Sequence, residues 1–236
     1  METSLHRQLK AIYAGEAAQV EQRLGDYRID AVRPGELIEI QHGSLAAIRD
    51  KIAALLAEHK VLVVKPLVAR KTLVKLDREG GREISRRQSP KTADILDVFH
   101  ELVYFTRVFP HPRLSLEVPL VEVEERRYPG HGKRRRWRAD DFEVEDQRLI
   151  DVRQTYRIAT CRDLVALLPR NLPAEFHTGH LASGLEIERW VAQRIAYCLR
   201  KMGAACECGK QGNAVMYRLA EETAIPVTKV RRRRGA

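Results

Sequence analysis

Residues 29–41 read Ile29-Asp30-Ala31-Val32-Arg33-Pro34-Gly35-Glu36-Leu37-Ile38-Glu39-Ile40-Gln41. Two short β-branched runs flank a Pro-Gly pair, so a tight hairpin is expected. Side chains alternate along a strand. Glu39 and Gln41 therefore project to one face, and Ile38 and Ile40 to the other. Pairing about the Pro34-Gly35 turn would bring Asp30 near Glu39. Two carboxylates and a carboxamide would then share one face of an otherwise apolar hairpin. Hard divalent cations take such oxygen ligands and leave positions open for water and phosphate.

Working outward, residues 4–24 predict a helix, with Leu5, Leu9, Ile12, Tyr13, Val20 and Leu24 at helical spacing. Glu16 falls on that stripe and Glu21 to one side. Gly15 is a point where the helix can break. After the hairpin, His42-Gly43-Ser44 predicts a turn with Ser44 as N-cap. Residues 45–59 predict an amphipathic helix. The apolar run Val61-Leu62-Val63-Val64 predicts a strand buried on both faces. A helix between two strands permits parallel pairing.

This order, with its acids on the hairpin, resembles the PD-(D/E)XK nuclease superfamily over residues 4–66. The motif reads Asp30 … Glu39-Ile40-Gln41; no Pro precedes Asp30, and Gln41 stands where Lys is usual. The resemblance implies a restriction-endonuclease-like α/β domain, a mixed sheet flanked by helices. It implies that Asp30 and Glu39 hold Mg2+ (or Mn2+) and that Gln41 orients water or a phosphate oxygen. Glu16 or Glu21, from the preceding helix, would complete the site. Lys65 or Lys71 would replace the missing motif lysine, against the plainer reading of Lys65 as a snorkelling strand-end lysine.

The chain has 236 residues and a formal net charge of +10, from 42 Lys and Arg against 32 Asp and Glu. Such a surplus favours a polyanionic partner, nucleic acid or anionic membrane. No stretch approaches the ~20 apolar residues of a membrane span. Residues 1–10 lack an apolar signal core, so a cytoplasmic location and no membrane partner are expected. Cys161, Cys198, Cys206 and Cys208 form no Cys-x-x-Cys and are expected as reduced thiols. Gly-rich phosphate loops, nucleophile elbows and zinc-protease motifs are absent from the sequence.

Further along, residues 71–88 predict a hairpin with a basic outer face, and residues 92–105 a helix. Residues 114–123 predict a strand whose acids oppose the basic segments. Residues 129–138 contain Lys133, Arg134, Arg135, Arg136 and Trp137, a pattern suited to gripping phosphates and stacking on a base. From Asp146 the pattern reads as helical, starting with Leu149, Ile150 and Val152. A short helix follows Thr160. Thr178 is the expected N-cap of the next. A longer helix spans 188–202, with Trp190, Val191, Ile195, Cys198 and Leu199 on its core stripe and Gly203 ending it. Two short strands, 204–208 and 214–219, close the pattern.

Residues 146–220 resemble a winged helix-turn-helix domain, with Gly184-Leu185-Glu186-Ile187 as the turn and Gly209-Lys210-Gln211-Gly212-Asn213 as the wing tip. The resemblance implies DNA contact through Arg189, Gln193, Arg194, Arg200, Lys201, Lys210 and Asn213. The expected organisation is a nuclease-like domain at 1–128, a basic linker or loop at 129–145, the smaller winged-helix domain at 146–220 and a basic tail at 221–236. The leading expectation is a metal-dependent DNA nuclease docked by the winged helix. The alternatives are a non-catalytic DNA-binding or recruitment protein on that scaffold and an interaction protein with acidic partners. Nucleic acid, DNA above all, is the expected partner, and a homodimer is compatible with the sequence.

Overall fold

The computed structural model describes residues 3–15, 19–130 and 141–221, which fall into two compact units, Met1–Ala159 and Thr160–Ala236. The first is a mixed α/β unit: a mixed sheet flanked by helices. Its elements are α1 (Ser4–Ala14), β1 (Gln19–Leu24), β2 (Tyr27–Arg33), β3 (Glu36–Ile40), a 3-10 turn (Leu45–Ile48), α2 (Arg49–Leu55), β4 (Val61–Val64), β5 (Leu67–Leu76), β6 (Glu83–Gln88), a 3-10 turn (Ile95–Asp97), α3 (Val98–Leu102), β7 (Leu114–Pro129) and β8 (Phe142–Ile158). The sheet runs β1-β2-β3-β4-β7-β5-β6, with β8 on the other edge of β7.

The predicted hairpin forms. Strands β2 and β3 pair antiparallel, with Ala31 opposite Ile38 and Arg33 opposite Glu36, and Gly35 turns at φ 79. Helix α2 then carries the chain across to β4, which pairs parallel to β3. Ser44 caps as expected, its Oγ accepting from Ala46 N–H at 3.2 Å. All four residues of β4 are buried, because helices or strands cover both its faces and both its edges. Strands β4 and β5 lie in one line along β7: Val64 pairs with Glu117 and Leu67 with Leu120, the Lys65-Pro66 step interrupting a single track. Helix α1 closes one face, packing Leu5 and Leu9 against Ala31, Ile38, Ile40, Leu62 and Val64.

The helices expected over 45–59 and 92–105 are shorter, each a 3-10 turn followed by α2 or α3, and two other elements differ more. The expected helix over 4–24 ends at Ala14, where Gly15 takes φ 66 and its N–H reaches Ala11 O. The chain resumes as edge strand β1, which among the described residues pairs with β2 alone, so Glu21 is a strand residue. Residues 142–158 are not helical and are not part of the second unit. They form β8, paired along the whole length of β7. The register slips at Leu120/Val121, Glu122/Val123 and Arg126/Arg127, each time inserting an extra β8 residue. Such bulges break two-residue alternation, which is why the stretch reads as helical in sequence. The boundary between units accordingly lies at 159/160 instead of 145/146, and residues 129–145 include the ends of a β-hairpin instead of an interdomain linker.

The second unit comprises α4 (Cys161–Val165), β9 (Glu175–Phe176), α5 (Thr178–Leu185), α6 (Arg189–Lys201), β10 (Ala205–Gln211) and β11 (Ala214–Leu219). Its sheet order is β10-β11-β9, all antiparallel. Its core gathers Leu164, Phe176, Leu181, Ile195, Cys198 and Leu199. His177, not Thr178, caps α5: its Nδ1 accepts from Gly179 N–H at 2.9 Å, and its ring stacks on His180 at 3.9 Å. Gly203 ends α6 at φ 78, as expected. Among the described residues no helix is long and apolar enough to cross a membrane.

Candidate functional site

The β2–β3 register stops one position short of pairing Asp30 with Glu39, and there the Asp30 carboxylate takes the Ile40 N–H that the register would give to the Ile29 carbonyl. Asp30 Oδ2 accepts from Ile40 N–H at 2.8 Å. Its Oδ1 lies 3.2 Å from His6 Nε2 and 3.9 Å from Lys10 Nζ, both on α1. Burial pushes this carboxyl up, but the His6 contact, the Ile40 N–H and the nearby cations outweigh it, and the net shift is downward. Lys10 also holds Glu21 at 2.9 Å, and Arg28 holds the other Glu21 oxygen. Glu21 has φ 56 and falls opposite Asp30, between the pairs Val20–Ala31 and Gln22–Ile29.

Glu39 alternates away from Ile38 and Ile40, which face α1. Its Oε1 accepts from Lys51 Nζ of α2 at 2.6 Å, and Lys51 also donates to Arg28 O at 2.5 Å. Oε2 of Glu39 is buried without a hydrogen-bond partner among the described residues, on a side chain that is 10% exposed. Burial, opposed by Lys51 and reinforced by the Asp30 charge, holds the Glu39 carboxyl above its ordinary range. The structure thus collects Asp30, Glu21 and Glu39 at one end of the hairpin, each already neutralised by a cation from a helix or neighbouring strand. Nothing in the motif points to His6, Lys10 and Lys51. Their signal is position alone: His6 and Lys10 are one helical turn apart beside the Leu5–Leu9 stripe, and Lys51 adjoins Ile52.

Gln41 and Lys65 do not join this cluster. The Gln41 amide donates to Ser44 O at 2.7 Å, closing its own turn. The Lys65 ammonium, 5% exposed, donates to His42 O at 3.1 Å and Gly43 O at 2.5 Å and pairs with Glu101 at 3.5 Å. Glu101 in turn accepts from Leu45 N–H at 2.8 Å, so Lys65 staples the β3–α2 turn to α3. Lys71 pairs with the buried Glu125 at 2.6 Å, remote from the motif in the sheet order. Glu16 and Lys133, Arg134, Arg135, Arg136 and Trp137 lie outside the described residues. Among the described residues no group of three or more His, Cys, Asp or Glu is arranged to hold a metal ion.

In the second unit, α6 buries Ala192, Ile195, Ala196, Cys198 and Leu199. Its other face exposes Arg189, Trp190, Gln193, Arg194, Tyr197, Arg200 and Lys201. Trp190 is therefore not on the core stripe; it is 50% exposed, with the Arg194 guanidinium 5.0 Å from its ring centroid. Helical spacing alone admits Trp190 to either face, because it lies at the edge of the apolar arc. Arg200 pairs with Glu207 at 3.1 Å. Lys210 and Asn213 are exposed at the β10–β11 turn, where Gly212 takes φ 59.

A family model described as "Domain of unknown function (DUF8091)" matches residues 3–159, coinciding with the first structural unit. An uncharacterized protein of Treponema pallidum (strain Nichols) is 28% identical over 219 residues, 92% of this chain and 85% of that protein, so the similarity runs on into the second unit. No solved structure matches.

Proposed function

The chain belongs to the DUF8091 family, and we propose that it is a nucleic-acid-binding protein whose C-terminal unit is a winged helix that docks α6 on duplex DNA. The observation that carries this reading is the solvent face of α6. Four cations, one carboxamide and two aromatic rings line it, and no carboxylate does. Arg189, Gln193 and Lys201 have no side-chain partner among the described residues, so their donors are available to phosphate oxygens and base edges. Support also comes from the element order, helix, strand, helix, helix and hairpin, with β9 joining the hairpin edge. In such a domain the second helix of the motif enters the major groove and the hairpin touches backbone. A cytoplasmic setting suits the four free thiols.

The test is an anisotropy titration of labelled duplex DNA with the full chain and with Arg189→Ala/Gln193→Ala/Lys201→Ala. The variant is expected to bind at least about tenfold more weakly, since each good polar contact is worth roughly 1–3 kcal/mol. Equal binding by both proteins would remove α6 from the account.

A second reading, metal-dependent phosphodiester hydrolysis at Asp30 and Glu39, is favoured by one observation, the unpartnered buried Oε2 of Glu39. The described residues do not fit Mg2+ as they stand. Lys51 occupies the accessible oxygen of Glu39, and His6, Lys10 and Ile40 N–H satisfy Asp30. Gln41 is turned into its own loop. Magnesium- or manganese-dependent cutting of labelled DNA that is abolished by both Asp30→Ala and Glu39→Ala would establish this reading. Binding without cutting would leave the hairpin cluster as a structural ion network.

A further inference from the structure

We infer that the face shared by β5, β6, β7 and β8 in the first unit is a groove for single-stranded nucleic acid, a second site that does not involve α6. Strand register puts its residues together. Lys71, Leu73 and Lys75 alternate to one face of β5. Leu73 lies opposite Arg87 of β6 and Glu125 of β7, and Lys75 lies opposite Arg127. Farther along, Pro129 of β7 lies opposite Phe142 of β8. All of these but the buried Glu125, with Lys91 just beyond β6, line a cleft of about 980 Å³ that Asp141 also borders at the Phe142 end.

Charge separates this face from its reverse. On the reverse face the arginines are neutralised: Arg86 by Glu124 at 2.7 Å and by Glu83 at 3.0 Å, and Arg126 by Glu145 at 2.9 Å. On the groove face the carboxylate Glu125 is only 2% exposed. Lys71, Arg127 and Gln147 surround it, and they hold its carboxyl below the ordinary range against the opposing effect of burial. Lys75, Arg87 and Lys91 are exposed, and none has a side-chain partner among the described residues.

The same cleft carries an aromatic platform. Phe142 is 37% exposed, and the Arg127 guanidinium lies 3.8 Å from its ring centroid. Leu73, Pro90 and Pro129 supply further apolar floor. A cationic track beside a stacking surface is the chemistry that holds an unpaired strand: ammonium and guanidinium groups on phosphates, exposed bases on the ring. A recessed cleft at the upper end of the roughly 300–1,000 Å³ typical of ligand sites admits one backbone with splayed bases, not the convex cylinder of a duplex.

The experiment titrates labelled oligothymidine, which forms no duplex, and a labelled duplex against the full chain. Three variants are compared with wild type: Lys75→Ala/Arg87→Ala/Lys91→Ala in the groove, Lys60→Ala/Arg78→Ala/Arg82→Ala as a charge-matched control on exposed residues elsewhere in the same unit, and the α6 triple variant. Circular dichroism checks that each folds. The groove variant is expected to lose at least about tenfold in oligothymidine affinity, with the log–log salt slope falling by about 2, from three lost phosphates at ~0.7 each. Its duplex affinity should change less than about threefold, and the control should bind oligothymidine as wild type does. Four results would overturn the inference: no oligothymidine binding by wild type; an unaffected groove variant; an equal loss in the control; or equal losses for strand and duplex, which mark a general polyanion surface. If the α6 variant alone lost duplex binding while the groove variant kept oligothymidine, the proposed function would stand and the groove assignment would fall.

Discussion

Lys51→Met probes the hairpin cluster at its most exposed weakness. Glu39 is 10% exposed, one oxygen has no partner among the described residues and the other depends on Lys51 at 2.6 Å. Removing the ammonium leaves a buried carboxylate with no donor and also frees Arg28 O. Breaking a buried pair from one side costs roughly 3–5 kcal/mol. Lys51 is 18% exposed, so water reaches the gap and the lower end applies, about 3 kcal/mol at neutral pH. The sign of the pH dependence follows from the raised Glu39 carboxyl. A group whose folded pKa exceeds its unfolded value destabilises the fold progressively as pH rises through the interval above the ordinary carboxylate range. Without Lys51 that interval widens. The deficit should therefore be largest at neutral pH and shrink as pH falls toward the ordinary carboxylate range, where Glu39 takes up a proton. Urea denaturation followed by circular dichroism reads it: with a slope of roughly 1–3 kcal/mol/M, the midpoint of the first unit falls by about 1–3 M at neutral pH. Lys51→Met/Glu39→Leu should recover most of the loss, since an apolar pair can replace a buried ion pair. A deficit under about 1 kcal/mol, or one that is the same at both pH values, would show that Glu39 is not the buried, cation-dependent group described.

Other perturbations separate structural from functional residues. Asp30→Ala should cost about 2 kcal/mol at neutral pH through the lost Ile40 N–H and His6 contacts. Because the Asp30 carboxyl is depressed, that penalty is present above the ordinary carboxylate pKa and fades as pH falls through the depressed value; a flat pH profile would contradict the assigned ion pairs. Lys65→Met should cost about 3 kcal/mol by orphaning the carbonyls of His42 and Gly43 and the Glu101 carboxylate, measured as a lowered urea midpoint; wild-type stability would remove the staple. Trp190→Ala should move stability by less than about 1 kcal/mol, the ring being half exposed, while weakening duplex binding several-fold; a large loss of stability would return Trp190 to the core.

Much of the first unit is legible in residue order. The Pro34-Gly35 turn between β-branched runs specifies β2–β3, the unbroken Val61-Leu62-Val63-Val64 run specifies an enclosed strand, and Ser44 announces the turn into α2. Each is a local signal with one cheap solution. Two acids of β7 were also legible as partners of the basic hairpin, Glu124 meeting Arg86 and Glu125 Lys71, whereas Glu117 and Glu122 meet Arg157 and Arg153 of the unforeseen β8. What stayed hidden depends on long-range pairing. β8 hides because its bulges scramble the alternation, and β1 because it is short, polar and at an edge. The candidate site hides for the same reason. The motif brings Asp30 and Glu39 to one end of the hairpin, but Lys10 and Lys51 arrive from two helices, and no spacing within residues 29–41 reveals that both carboxylates are already paired. Lys75 and Arg87 were legible only as part of a basic hairpin, and Lys91 as a residue leading into the next helix; that the reverse-face arginines are paired while these three are not emerges from the ion pairs and the β5–β7 register.

The salt dependence of duplex DNA binding by the full chain tests the central claim most directly. If α6 and the β10–β11 turn engage phosphates through Arg189, Arg194, Lys201 and Lys210, log affinity should fall linearly with log salt concentration, with a slope of about −3 to −4, near 0.9 per contact. The α6 triple variant should show a slope shallower by about 2. Undetectable binding at low salt, or a slope near zero, would contradict the account.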